Sequence, residues 1–304
     1  MPTATLPDGT PLHWLQAGDV SGPGGAHVLL VHGLGEHSGR YAELTHRLLA
    51  AGHAVSAYDH RGHGLSGGPR GGIPRPDSLL DDLGQVIDLV HGHSPRPLVL
   101  LGHSMGGAVA ARFVAEGLQP APAAWFRPVQ GLVLSSPALA ADLNPWQQLL
   151  LALGRLAPDL PAGNGLQPGW ISRDPAVVAA YRADPLVHDR ITPRLARFIL
   201  ESGALVRRLA PRWSTPTLLM WAGADRCVAP RGSAEWAAAV PPQLLQARCF
   251  ESLYHEIFNE PQRAEVFDAL LLALPRLLAH AIDTSHASRT SDPSLTSPSH
   301  QEAA

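Results

Sequence analysis

Pro97-Leu-Val-Leu-Leu101 runs straight into Gly102-His-Ser-Met-Gly-Gly107, and an Ala-rich stretch follows to about Glu116. The first five residues form an apolar run of strand length, and the last stretch is helix-forming. A strand, a tight turn and a helix joined in this way lift the middle side chain of the turn above a sheet edge, at the positive end of the helix. Gly102-His103-Ser104-Met105-Gly106 also matches G-x-S-x-G, and its glycines permit the crowded backbone of such a turn. Ser104 is therefore the candidate nucleophile. The pattern recurs at Gly64-Leu65-Ser66-Gly67-Gly68, which follows a glycine-rich loop and precedes Pro69. No helix signal comes after it, so Ser66 is read as a loop serine.

The alternation extends in both directions from this point. His27-Val-Leu-Leu-Val31 reads as a buried strand entering the turn His32-Gly-Leu-Gly35, with helical spacing at Leu44, Leu48 and Leu49 beyond it. A second strand, His53 to Tyr58, ends at Asp59. Leu79, Leu80, Leu83, Val86, Ile87 and Val90 mark a helix face, and Gly131-Leu-Val-Leu-Ser135 is strand again. After residue 215, strands are expected at Thr217 to Trp221 and Leu244 to Phe250, and helices at Glu235 to Val240 and Glu260 to Ala281. Such βαβ alternation predicts an α/β fold with a mainly parallel central sheet covered by helices on both faces. Residues 1–136 and 212–282 would form this core. Between them, 137–211 carries Leu-rich helical runs with scattered Pro and Gly and no convincing strand, the pattern of a helical cap inserted after the strand near 131–135. The Ser/Thr/Pro/His-rich stretch 283–304 is expected to be a disordered tail.

Composition removes whole classes of chemistry. The chain has 304 residues, 45% of them hydrophobic, with 23 basic against 26 acidic side chains and a net charge of −3. All the basic residues other than histidine are arginine. Without lysine there is no Schiff-base nucleophile, no pyridoxal anchor and no phosphate-loop lysine. A mildly acidic chain lacks the basic footprint of a nucleic-acid binder. Cys227 and Cys249 are too few for a disulfide framework or a thiolate zinc site, and read as buried thiols in a reducing compartment. Neither a signal peptide nor a run of about 18 apolar residues is evident. The cytoplasm is the expected location, with reversible membrane contact left open.

A serine hydroxyl needs a base to take its proton and an acid to orient that base. On a hydrolase-type fold the chain order is Ser, acid, His. With 16 histidines, position must decide. Among the late histidines only His255 closely follows a strand; His280 ends a long helix, and His286 and His300 fall in the tail. Asp142, Asp159, Asp174, Asp184 and Asp189 all lie in the insertion, whereas Asp225 emerges from the strand Thr217 to Trp221 at the same sheet edge as Ser104. Two backbone N–H groups must hold the oxyanion, one from Met105 and the other from the turn after the first strand, most simply Leu34.

Three other patterns in the sequence compete with this reading. Gly33-x-Gly35 with Asp59 resembles part of a dinucleotide fingerprint, but Ser38 occupies the third glycine position. Asp59, His60 and His63 could ligate a metal, although a hydrogen-bonded loop explains them. His255-Glu256-Ile-Phe-Asn259 misses the zinc signature because Asn259 replaces the second histidine. Neither metal nor cofactor is expected.

Several stretches together resemble one family. His32-Gly-Leu-Gly-Glu-His-Ser-Gly-Arg-Tyr41, Asp59-His-Arg-Gly-His-Gly-Leu-Ser66, Gly102-His-Ser-Met-Gly-Gly107 and Tyr254-His255 through Asn259-Glu260 are similar to the monoacylglycerol lipase and lysophospholipase branch of the α/β-hydrolases. The resemblance runs from about His27 to Ala281, outside most of the insertion. It implies ester hydrolysis through an acyl-enzyme, with Ser104 attacking, His255 shuttling the proton and Asp225 holding the tautomer. It also implies a helical cap admitting a fatty acyl chain. Trp146, Leu149, Leu150, Leu153 and Leu156 would suit an apolar channel or a membrane-facing surface, or simply pack the cap onto the core. A polar pocket for a glycerol head would use Glu36, Arg40, His103 and Tyr181, while Glu36 and Arg40 could equally be a structural ion pair. The implied partner is a small lipid ester. An aminopeptidase or small-ester esterase on the same fold, and a non-catalytic ligand-binding relative, are the alternatives.

Overall fold

Two N-terminal strands that the apolar pattern does not announce begin the chain. β1 (Thr3–Thr5) and β2 (Pro11–Ala17) pair antiparallel, with Leu12 and Trp14 buried. The chain then alternates through β3 (His27–Val31), α1 (Ala42–Ala50), β4 (Ala54–Tyr58), α2 (Ser78–His93), β5 (Leu98–His103), α3 (Ser104–Ala115) and β6 (Gly131–Ser135). A long excursion follows, holding α4 (Pro145–Leu153), β7 (Ala162–Gly163), α5 (Pro175–Ala183), β8 (Arg190–Ile191) and α6 (Pro193–Leu209). β9 (Thr217–Ala222), α7 (Pro230–Ala239), β10 (Leu245–Phe250) and α8 (Arg263–Thr290) complete it. This computed structural model describes residues 3–290 apart from 23 and 144, and the side chains of 146, 150 and 280–290 lie outside that description.

Eight strands form one sheet in the order β1-β2-β4-β3-β5-β6-β9-β10. β2 runs antiparallel to β4, and every neighbouring pair from β4 to β10 is parallel. The central strands are buried on both faces, which is why they read as continuous apolar runs. Successive side chains still part to opposite sides. Leu29 and Val31 join Leu100 and Leu134 in one core with residues of α2 and α3, while Val28 and Leu30 join Val99, Leu101 and Val133 in the other with residues of α1 and α8.

β3 and β5 are neighbours, and the chain leaves β3 toward β4 on one side and β5 toward β6 on the other. The crevice at the carboxyl ends of β3 and β5 is such a switch point, where open α/β sheets place their ligands. The turn after β3 and Ser104 after β5 both emerge there.

Within the excursion, the only strands among the described residues are the two-residue pair β7 and β8. α6 lies inside the stretch assigned from sequence to the cap, yet it buries Leu195, Phe198 and Val206 in the same core as α3. Packing thus makes α6 part of the layer flanking the sheet. The helix α8 carries Pro275 inside it and continues through 283–290, which the sequence reading gives to the tail; that last stretch holds neither Pro nor Gly. The rest of that expected tail, 291–304, lies outside the described residues. No helix among the described residues is long and apolar enough to cross a membrane.

Candidate active site

β5 ends at His103 and α3 begins at Ser104, with no residue between them. Ser104 absorbs the change of direction with φ of 53°, in the left-handed region. A non-glycine residue held there costs about 1–3 kcal/mol, and the strain presents its Oγ to the crevice. Gly106 shows why the turn needs small residues: a Cβ there would run into the Val31 carbonyl oxygen of β3.

His255 follows β10 and Asp225 follows β9. The hydroxyl of Ser104 donates to His255 Nε2 at 2.8 Å, and His255 Nδ1–H donates to Asp225 Oδ2 at 2.7 Å. The N–H groups of Cys227 and Val228 hold the other Asp225 oxygen at 2.8 and 3.1 Å. These bonds fix both the acid and the imidazole tautomer. Burial by itself would lower the pKa of His255, which is only 4% exposed. The Asp225 charge and hydrogen bond, helped by Glu256 and Glu36, outweigh burial and raise it above 6.5. Three residues far apart in sequence are thus brought together in series.

The turn after β3 is braced by a buried carboxylate. Glu36 Oε1 accepts from Gly33 N–H at 2.6 Å and from the Tyr41 hydroxyl at 2.6 Å, and Oε2 accepts from Arg40 at 2.9 Å. Burial pushes the Glu36 pKa up, but Arg40, His103, His32 and the Tyr41 hydroxyl together bring it down to about 2. Arg40 also forks onto Glu256, at 2.5 and 2.8 Å, and lies 4.7 Å from the centre of the Tyr181 ring. Burial first, then Glu36 and Glu256, push the Tyr181 hydroxyl pKa up. Leu34 faces the cavity beside this brace. Met105 is the second residue of α3, where backbone N–H groups have no partner inside the helix, and its side chain is buried in the core.

A cavity of about 340 Å³ opens over Ser104. The core contributes Gly33, Leu34, Glu36, His103, His255 and Glu256, and the segment 164–189 contributes Leu166, Ile171, Tyr181 and Val187. Arg40 does not line it; it backs Glu36, Glu256 and Tyr181 from outside. His103 Nδ1–H donates to the Ser135 carbonyl at 3.1 Å. Burial and then the neighbouring His255 pull the His103 pKa down to about 4, so the ring is neutral near pH 7.

Leu149, Leu153 and Leu156 do not line this cavity; they are 47, 53 and 88% exposed. The side chains of Trp146 and Leu150, named with them from sequence, lie outside the described residues.

Ser66 stays in a buried loop, donating to the Asp59 carbonyl at 2.6 Å and accepting from His13 N–H at 2.9 Å. Asp59 is occupied by Ser38 and by Leu65 N–H, which leaves it no role as a ribose anchor. His60 and His32 bond to each other's backbone and ring, and Asn259 donates to Glu256 at 2.8 Å.

Sequence reasoning did not single out Glu256, Asp184 or His188, all at the cavity. Glu256 had one available signal, its place directly after His255. Asp184 and His188 had none, because their partners His37 and Gly62 are far away in sequence.

A parallel sheet, a crevice at its switch point and a serine on a strand-to-helix turn define an α/β-hydrolase. The family model described as serine aminopeptidase, S33, matches residues 23–262. The chain belongs to that family, in its monoacylglycerol-lipase-like branch. A monoacylglycerol lipase of Mycolicibacterium smegmatis is 36% identical over 250 residues, spanning 79% of this chain and 85% of that protein. A phospholipase of Bacillus subtilis is 33% identical across 80% of this chain and 93% of its own length. The crystal structure of a Paleococcus ferrophilus monoacylglycerol lipase superposes with a TM-score of 0.75 at 35% identity, covering 88% of this chain and 99% of the other.

Proposed function

We propose that this chain is a serine hydrolase cleaving carboxylic esters of lipids, of the monoacylglycerol or lysophospholipid kind, through an acyl-enzyme. The observation that carries the reading is the unbroken series Ser104–His255–Asp225, at 2.8 and 2.7 Å, on the floor of a half-apolar cavity. Ser104 Oγ attacks the ester carbonyl while His255 Nε2 takes its proton. Backbone N–H groups of Leu34 and Met105 receive the oxyanion. His255 then returns the proton to the leaving alcohol, and water frees the acid by the same route in reverse. Asp225 keeps the ring oriented throughout.

His103 and Tyr181 are placed to meet a polar head group. With its Nδ1 proton given to Ser135, neutral His103 keeps a lone pair on Nε2 for a head-group hydroxyl. Glu36 and Arg40 act by holding the oxyanion turn and the floor of the cap. Residues 164–189 cover the site, and the exposed Leu149, Leu153, Leu156 and Leu160 offer an apolar surface for transient contact with lipid. The working location is the cytoplasm.

An aminopeptidase needs an unpaired carboxylate for the substrate's amine. Of the four carboxylates lining the cavity among the described residues, Glu36 and Glu256 are held by Arg40 and Asp184 by His37, while Asp189 stands mostly in solvent beside Arg190. This favours the ester reading. Purified protein is expected to hydrolyse 1-monoacylglycerols and p-nitrophenyl esters, leave aminoacyl amides intact and label at Ser104 with a fluorophosphonate probe. Amide turnover without ester turnover, or an unreactive Ser104, overturns the proposal.

A further inference from the structure

Two cysteines are too few for a thiolate zinc site by counting, but the fold brings one of them to the relay. A carboxylate oxygen of Asp225, Cys227 Sγ and a ring nitrogen of His255 all lie within 4.8 Å of one another. No second group of three metal-ligating side chains gathers this closely among the described residues. One tight turn holds two of the donors, since Cys227 N–H donates to Asp225 Oδ1 at 2.8 Å. Cys227 forms no disulfide, and with His255 it lines the cavity, so an ion arriving from solvent meets both.

The donor set of one thiol, one imidazole and one carboxylate matches zinc and excludes calcium and magnesium, which take oxygen ligands. Zinc bonds of about 2.0–2.3 Å span donors up to about 4 Å apart. A turn of the Cys227 side chain and a small shift of the Asp225 carboxylate are the movements required.

We propose that Asp225, Cys227 and His255 form a reversible binding site for Zn²⁺, and that the bound ion switches the hydrolase off. Cys227 releases its thiol proton to solvent as the S–Zn bond forms, Asp225 and His255 supply an oxygen and a nitrogen, and water completes the tetrahedron. An ion on His255 Nε2 occupies the lone pair that takes the Ser104 proton. An ion on Nδ1 leaves the ring proton on Nε2, where it also blocks that transfer. In both geometries the base is lost. The inhibition rests on the catalytic reading above, whereas the binding does not.

The test separates the two. Titrating the full chain with Co²⁺ is expected to produce a thiolate-to-cobalt charge-transfer band that Cys249→Ala keeps and both Cys227→Ser and Cys227→Ala lose, with circular dichroism confirming that each variant is folded. Zn²⁺ is expected to suppress ester turnover, and a chelator to restore it. The Zn²⁺ concentration giving half inhibition should rise about tenfold or more in Cys227→Ser. Absence of the band, a band carried by Cys249, or equal inhibition of Cys227→Ser and the parent chain overturns the site. A Cys227-dependent band in a chain without esterase activity upholds the metal site and sinks the catalytic reading alone.

Discussion

Two stretches of this chain share one pattern and have opposite fates. Around Ser104, the glycines flank a residue that itself takes the left-handed backbone, φ 53°. Around Ser66, Gly64 and Gly68 take the positive angles, φ 50° and 100°, while Ser66 has none. The left-handed backbone therefore strains the serine at the first site, whereas at the second it falls on glycines, which adopt it without strain. The hydroxyls differ in the same way. Ser104 Oγ points at an imidazole under a cavity, and Ser66 Oγ is consumed by the backbone of Asp59 and His13. A G-x-S-x-G match thus acquires chemical meaning only where a strand delivers the serine and a helix takes it away.

Ser104→Ala puts this contrast to its strongest test. We expect kcat to fall on the order of a millionfold, with Ser66→Ala leaving kcat within severalfold in the same ester assay. Comparable losses in the two variants would erase the distinction.

Asp225→Asn comes next. It should lower kcat about ten-thousandfold by releasing the imidazole tautomer, while Ser104 remains in place. The base must be neutral, so kcat/KM of the parent chain should decline as pH falls through the His255 pKa, which lies above 6.5. Because Asp225 is the main raising influence, the residual activity of Asp225→Asn should show its acid limb at lower pH. The stability linked to His255 runs in the opposite sense: with a raised folded pKa it is complete below 6.5 and lost as pH climbs through the folded value. pH–rate profiles alongside denaturant midpoints at several pH values check both signs.

The smallest effect belongs to Ser66. Removing its hydroxyl strands a buried carbonyl and a buried N–H, at a cost of about 1–3 kcal/mol. Urea denaturation of Ser66→Ala should reveal this loss with catalysis preserved; an unchanged midpoint would mean the loop does not depend on the hydroxyl.

Legibility in the sequence followed burial. β3, β5 and β6 are covered on both faces and appear as unbroken apolar runs, so their limits were readable to within a residue or two. β2 lies near the edge of the sheet, where buried Leu12 and Trp14 alternate with the polar His13, and it passed unnoticed. Ser104, Asp225 and His255 could be chosen because each follows a parallel strand, and parallel strands deliver their loops to one edge. Arg40 illustrates the opposite case. Its partners Glu36 and Glu256 are 4 and 216 residues away, and only the first spacing carries a local signal. The segment over the cavity was readable as helical, but of its lining only Tyr181 was named, through the family resemblance, because its contacts are with distant loops.

α6 has a practical consequence for anyone recombining lids between relatives. Exchanging the whole insertion as a cassette would tear out Leu195, Phe198 and Val206 along with the cover, leaving α3 without its neighbour. The natural splice lies just upstream of Thr192, whose N–H is anchored to the Gly71 carbonyl at 2.9 Å. Chimeras cut there exchange the roof and keep the supporting wall.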